Sequence, residues 1–282
     1  MTNLRILFAL NYYHPYISGL SEYVRIIAEA LVERGCSVTV LAGRHEANLP
    51  PNEVRNGVQI VRAKVLLKLH KGYLSSNLIR TFRRLAREAD VVHLSAPMLE
   101  AGLLARLTPA GTPLVLTHHC DVIAQRRGSL LEALAVAAVK ASARATFQRA
   151  DRVLVNSKDY ASSSVEVRGI LQKCLEVPPP DSAPESPLPP RAPGNRVGFL
   201  GRWVAEKGIG VLLAAIPAVL RHIPDARFIL AGNYASVAGG SEYNRLKPEL
   251  DRLRDSVETP GSLPDEKQIG RASCRERVCV PV

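Results

Sequence analysis

Short apolar, β-branched runs recur along the chain at residues 4–10, 37–42, 58–61, 91–94, 114–117 and 153–156, with segments of helical pattern between them. This alternation predicts an α/β fold of parallel strands joined by crossover helices. The first helix is the best specified. Val24, Ile27, Ala28 and Leu31 fall at i, i+3, i+4 and i+7, Ser21 is placed to cap the start, and Gly35 is placed to end it. Residues 178–193 then hold eight of the twenty prolines, which predicts a stiff linker. Beyond it the pattern restarts, with a strand at Arg196–Leu200, an apolar stripe of Ile209, Leu212, Leu213, Ile216 and Leu220, and a strand at Arg227–Ala231. Pro217 is expected to kink the helix that carries the stripe, because it removes a backbone donor.

The expected organisation is therefore a first domain at 1–177, a linker at 178–193 and a partial second domain at 194–268. A second α/β domain of that length holds only two or three strand–helix units and leaves an edge and an apolar face uncovered. Residues 269–282 stand apart: Ile269 to Val278 back-translates into a string resembling a common sequencing adapter. The expectation is that the natural sequence stops near Gln268 and that the tail is an artefact.

Composition adds bounds. With 46% apolar and 22% charged residues the chain is ordinary globular material, and 37 Lys+Arg against 26 Asp+Glu give a net charge of +11. Removing the three Arg and one Glu of the tail leaves +9. Such a charge suits phosphorylated ligands, polyanions or an anionic membrane surface without choosing among them. Nucleic acid is disfavoured, because aromatics are 5% of the chain and no zinc-finger or RNP pattern occurs. The five scattered cysteines form no metal knuckle or disulfide framework, and no apolar run reaches 18 residues. A reducing, cytoplasmic setting is expected.

Three segments carry candidate chemistry. Asn11 to Glu22 links the first strand to its helix. Gly19 there either lets a phosphate approach the helix N-terminus or serves a turn that needs positive φ. His118, His119 and Asp121 follow a strand, at the sheet edge where open α/β folds bind ligands. They are read as hydroxyl-binding or leaving-group-orienting groups, with a zinc site or an ordinary polar loop as rivals; no metal is expected, for want of a third ligand. Arg202 and Lys207, after the first strand of the second domain, are placed either to converge on a diphosphate or to sit in a solvated charged loop. Lys64, Lys68, His70, Lys71, Arg80, Arg83, Arg84 and Arg87, interleaved with apolar residues, read as a surface helix that meets anionic lipid or as solvated faces.

Together these segments resemble glycosyltransferase family 4, over nearly the whole chain to about Gln268. The matches are Ser18-Gly19-Leu20-Ser21-Glu22, with one glycine where the family has a pair; His118-His119-Cys120-Asp121; Ala150-Asp151 with its strand and Ser157; Phe199-Leu200-Gly201-Arg202 followed by Glu206-Lys207-Gly208; Pro224-Asp225; and Gly261 to Glu266. The resemblance implies a GT-B fold of two Rossmann-like domains facing a cleft, the second incomplete here. It implies metal-independent transfer with retention from a nucleotide-diphosphate-sugar donor to a glycan or lipid-linked acceptor, with no other cofactor. By the same resemblance His119 is the active-site histidine, Gly19 lies in the binding loop, and Arg202 and Lys207 hold the donor diphosphate. The family's following two-glutamate motif is absent from this sequence, so the chain as written is expected not to turn over. The alternative is a non-catalytic sugar-nucleotide or acceptor-binding fragment.

Overall fold

The computed structural model describes residues 3–16, 18–69, 72–75, 77–121, 130–180, 194–234 and 241–262. The tail at 269–282 and most of the proline-rich segment lie outside the described residues. Two compact units divide the chain, Met1–Asp181 and Ser182–Val282.

The first unit is built on a sheet in which β1 (Arg5–Ala9), β2 (Ser37–Arg44), β4 (Val58–Leu69), β6 (Val91–Ala96), β7 (Leu114–His118), β8 (Arg152–Val155) and β9 (Cys174–Glu176) run parallel. β3 (Asn52–Arg55) and β5 (Gly72–Ser75) pair antiparallel to β4, and the order is β3-β4-β2-β1-β6-β7-β8-β9. The chain builds outward from β1 in one direction and then resumes at β6 in the other, so the topological switch point lies between β1 and β6. Alternate residues of β1 serve opposite faces. Leu7 and Ala9 join Phe82, Leu94, Leu104 and Phe147, whereas Phe8 joins Val24, Ala28, Val40 and Ile60. Both faces are therefore covered, by α1 (Gly19–Glu33) on one side and by α2 (Leu78–Glu88), α3 (Ala101–Leu107) and α4 (Leu130–Arg149) on the other.

Ser18, rather than Ser21, caps α1: the Ser21 N–H donates to Ser18 Oγ at 3.1 Å and the Ser18 N–H donates back to Ser21 Oγ at 2.8 Å. Ser21 is the third helical residue, so the two serines form a capping box. Gly35 follows the helix at φ 85°, as its placement predicts. The close contact of α3 with α4 depends on Gly102, whose N–H donates to Ser142 Oγ at 2.8 Å and where a Cβ would lie 2.7 Å from Ser142 O.

The basic stretch from Lys64 to Arg87 is not one helix. Lys64 and Lys68 belong to β4, because residues 58–69 pair with β2, β3 and β5, and only Arg80, Arg83, Arg84 and Arg87 lie on α2. His70 and Lys71 lie outside the described residues. Among the described residues no helix is long and apolar enough to cross a membrane.

The second unit has three parallel strands, β10 (Arg196–Leu200), β11 (Arg227–Ala231) and β12 (Val257–Gly261), in that order. α6 (Ile209–His222) and α7 (Tyr243–Arg252) pack Ile209, Leu213, Ile216, Leu246 and Leu250 onto Phe228 and Leu230 around the fully buried Trp203. α6 continues through Pro217 as one element.

Candidate functional site

β7 delivers His118 and His119 to the carboxyl edge of the first sheet, and the adjacent side chains diverge. His118 is buried, stacked 6.2 Å from Tyr160 and edge-on to Phe147 at 5.6 Å, with Nε2 3.1 Å from Asp121 Oδ1. Asp121 also accepts from Ser164 Oγ at 2.5 Å and from the Val165 N–H at 3.1 Å, while its own N–H donates to the Tyr160 hydroxyl at 2.8 Å. Burial opposes the Asp121 charge, but these donors, Ser164 foremost, hold its carboxyl below the usual range. Burial pushes His118 down, against the pull of Asp121. Ser164 and Tyr160 flank and belong to α5 (Lys158–Ser163), too far along the chain for any local motif to announce them.

Glu166 joins this group: one ligand atom each from His118, Asp121 and Glu166 lie within 4.8 Å of one another. The sequence offers no local sign of that third carboxylate. The Asp121 oxygens are already taken by hydroxyl, amide and imidazole donors, so the cluster reads as a hydrogen-bonded tie between the loop after β7 and the loop after α5.

His119 turns the other way. Its N–H donates to Ala96 O at 3.1 Å, fixing it against the end of β6, and its ring meets Tyr23 of α1 edge-on at 5.0 Å. Nε2 is buried with no partner among the described residues. Burial, with a smaller contribution from His118, lowers its pKa to about 4, so the ring is neutral at pH 7. A neutral imidazole with an unused nitrogen can donate to or accept from a ligand hydroxyl. His93, which the sequence patterns do not single out, lies on the same side: Nε2 is 2.7 Å from Thr117 Oγ1 and its ring stacks on Phe8 at 4.7 Å.

Gly19 is the first residue of α1 and its φ is not positive, so the positive-φ turn is excluded. A Cβ there would meet nothing within 4 Å, which leaves open space beside the helix start. Glu22 is engaged by His14 Nε2 and by Arg25 at 3.0 Å.

In the second unit the loop after β10 is shaped by backbone contacts. Gly232 lies at φ 138°, where a Cβ would come within 1.8 Å of Gly201 O, and the Gly201 N–H donates to Ala231 O at 3.1 Å. Trp203, edged by Tyr234 and Tyr243, anchors the loop beneath. Arg202 and Lys207 are both exposed, and Gly208 in the left-handed region at φ 69° turns the chain into α6. A depression of about 430 Å³ opens beside the first turn of α6, lined by Ala205, Gly208, Val211 and the Glu242–Arg245 pair.

Two other motif segments serve the scaffold. The Asp151 carboxylate accepts the Leu114 N–H at 2.8 Å and Ser157 caps α5, accepting from the Tyr160 N–H at 3.1 Å. Asp225 accepts from both positions of its carboxylate the amide of Asn195, at 3.1 Å each.

Comparison with known proteins agrees with this architecture. The chain is 31% identical over 121 residues to D-rhamnosyltransferase WbpZ of Pseudomonas aeruginosa, a match that covers 42% of this chain and 32% of that protein. It is 22% identical over 288 residues to GDP-mannose:cellobiosyl-diphosphopolyprenol alpha-mannosyltransferase of Xanthomonas campestris, covering 98% of this chain and 69% of that one. The chain thus spans only about a third of the length of the first of these relatives. Among solved structures, sucrose-phosphate synthase of Thermosynechococcus elongatus superposes with a TM-score of 0.70 at 18% identity, over 96% of this chain and 73% of that one, which shows a shared GT-B fold. The model of the glycosyl transferase 4-like domain matches residues 18–180, from the cap of α1 past β9, and the chain belongs to that family.

Proposed function

We propose that the protein transfers a sugar from a nucleotide-diphosphate-sugar donor to a glycan or lipid-linked acceptor, with retention at the anomeric carbon. The observation that carries this reading is the loop from Gly201 to Gly208, which presents two exposed cations at the entrance to α6 while its backbone is held by Gly232 and Trp203. Departure of a nucleoside diphosphate develops negative charge on its oxygens. A guanidinium, an ammonium and a helix N-terminus at one loop can meet that charge. Within the first unit, His119, neutral and with Nε2 unused among the described residues, is available for a hydrogen bond to a sugar hydroxyl, and Gly19 leaves room for ligand beside α1.

The name of the Xanthomonas relative, a mannosyltransferase acting on a diphosphopolyprenol-linked cellobiose, supports a lipid-linked acceptor. The reading has the chain act in the cytoplasm, in peripheral contact with an anionic membrane through the arginines of α2.

Calorimetry with GDP and UDP tests the donor side. Arg202→Ala and Lys207→Ala are each expected to weaken nucleoside diphosphate binding by about tenfold or more, the loss of a charge-assisted bond. Both side chains are exposed, so the unfolding midpoint should not move. Nucleotide affinity unchanged in both variants overturns the reading. Release of nucleoside diphosphate over time that depends on added acceptor separates transfer from the alternative, a fragment that binds without turning over, which the absent two-glutamate motif favours.

A further inference from the structure

At the switch point of the first sheet, the loop after β1 and the loop after β6 diverge, and such a crevice is where open α/β sheets take ligands. The loop after β1 supplies Tyr12 and Tyr16, whose rings lie 5.0 Å apart; β5 supplies Tyr73, 5.5 Å from Tyr12. The loop after β6 supplies Glu100, at the N-terminus of α3 without capping it. The three tyrosines descend from the surface inward: Tyr16 is exposed, Tyr12 half-buried and Tyr73 1% exposed. Tyr73 is held close, since a Cβ at Gly43 would lie 2.6 Å from its ring.

Among the described residues, three polar atoms at this place are buried with no partner beyond Glu100's own backbone N–H: the Tyr73 hydroxyl and both carboxylate oxygens of Glu100. A buried carboxylate without donors is costly, and native proteins pair such groups unless something else fills the role. Burial raises the Glu100 carboxyl above the ordinary range, and the Tyr73 hydroxyl is pushed up by burial first and by Glu100 second, so the two groups share one environment. The missing partner must bring O–H or N–H donors and a partly apolar face that can lie against an exposed tyrosine ring. A metal cation would fit the carboxylate alone and leave the aromatic walls without purpose.

We propose that Tyr12, Tyr16, Tyr73 and Glu100 form a subsite for a hydroxyl-rich ring, the terminal sugar of the acceptor, with Glu100 and Tyr73 receiving its hydroxyls and the exposed face of Tyr16, itself backed by Tyr12, lying against its apolar side. This rests on the transferase reading above. Tyr12 and Tyr16 stand in the Asn11–Glu22 segment singled out in the sequence, whereas Tyr73 and Glu100 belong to none of its motifs. The subsite shares the end of β6 with His119, whose backbone is bonded to Ala96.

Saturation-transfer NMR on the full chain tests it, with methyl α-D-mannopyranoside and methyl β-D-glucopyranoside as free sugars and their octyl counterparts, below micelle formation, as lipid-borne ones. Transfer to ring protons of at least one glycoside is expected. It should weaken about tenfold in Glu100→Gln and in Tyr73→Phe, as when a hydrogen bond to a charged group is lost. Both variants should melt no lower than the wild type, because in the free protein these atoms have no partner to lose. Much tighter binding of an octyl glycoside than of its methyl form assigns the ring to a lipid-linked acceptor, and equal binding assigns it to a free glycan. No transfer to any of the four, or transfer unchanged in both variants, overturns the subsite. The GDP and UDP titrations separate the two ideas: nucleotide binding that persists leaves the transferase reading standing without the subsite, and its absence in the wild type removes both.

Discussion

Nε2 of His118 lies 3.1 Å from Oδ1 of Asp121, and that same oxygen accepts the Ser164 hydroxyl at 2.5 Å. One carboxylate therefore ties the end of β7 to the segment that follows α5. Removing it leaves a fully buried imidazole and a buried hydroxyl without their acceptor. Asp121→Ala is expected to cost about 2 kcal/mol in urea unfolding, the penalty for orphaned buried groups. Asp121→Asn keeps the shape and should lose less. A change below about 0.5 kcal/mol in the alanine variant would show that the tie contributes nothing, since that is the scatter of ordinary surface substitutions.

How far this tie was legible is instructive. Adjacent residues at the end of a strand point to opposite faces, so the divergence of His118 and His119 follows from β7 alone. Ser164, Val165 and Glu166 reach Asp121 only because β8 and α5 return the chain to the same edge, a non-local event that leaves no local pattern. The central strands β1, β2, β6, β7 and β8 and the helix α1 are plain in the sequence because burial imposes their periods. β3, β5 and β9 are short, lie at or beyond the sheet's margins, and owe their existence to partners rather than to their own residues. The basic stretch misleads for the same reason: Lys64 and Lys68 stand on a strand because β2, β3 and β5 are there to pair it. Tyr73 and Glu100 carry no motif, and only their burial without partners distinguishes them.

His119 gives the fold an acid-side liability. Its folded pKa is about 4, below the ordinary value of 6.5, so the unfolded chain binds the proton more readily between those values. Stability is then fully present above pH 6.5 and is lost as pH falls toward 4, by about 3 kcal/mol from this group. His119→Gln should flatten that part of the profile in urea unfolding from pH 7 to 4. An identical slope in both proteins would show that His119 is not held neutral by its surroundings. His93, with a folded pKa of about 3 from burial first and His119 second, contributes to the residual slope together with His118, pushed down by burial, and Asp121, held low by its donors.

Gly232 sets the shape of the loop that carries Arg202 and Lys207. At φ 138° with Gly201 O only 1.8 Å from where a Cβ would stand, no rotamer relieves the clash, because both partners are backbone. Gly232→Ala is expected to destabilise the second unit by about 3 kcal/mol or more, in line with strained backbone plus overpacking. It should weaken GDP and UDP binding even where the unit remains folded, by displacing the loop. Wild-type nucleotide affinity in a folded Gly232→Ala protein would detach the loop's geometry from binding.

Arg80, Arg83, Arg84 and Arg87 are exposed, while Leu78, Phe82 and Ala86 of the same helix are buried in the core, so the cations form an outward face on a fixed scaffold. Leu66, on the neighbouring β4, is 61% exposed and Ile79 is 41% exposed, which gives that face an apolar element to sink between headgroups. Each arginine near an anionic surface contributes about 1 kcal/mol, and the attraction decays within a Debye length. The chain should therefore float with phosphatidylglycerol vesicles and not with phosphatidylcholine ones, and should be released by raised salt. Replacing all four arginines by glutamine should reduce flotation about tenfold or more and leave the unfolding midpoint in place, because none of the four is buried. Equal flotation of the wild type and the quadruple variant would move membrane contact away from α2, and no flotation of the wild type on anionic vesicles would remove it altogether.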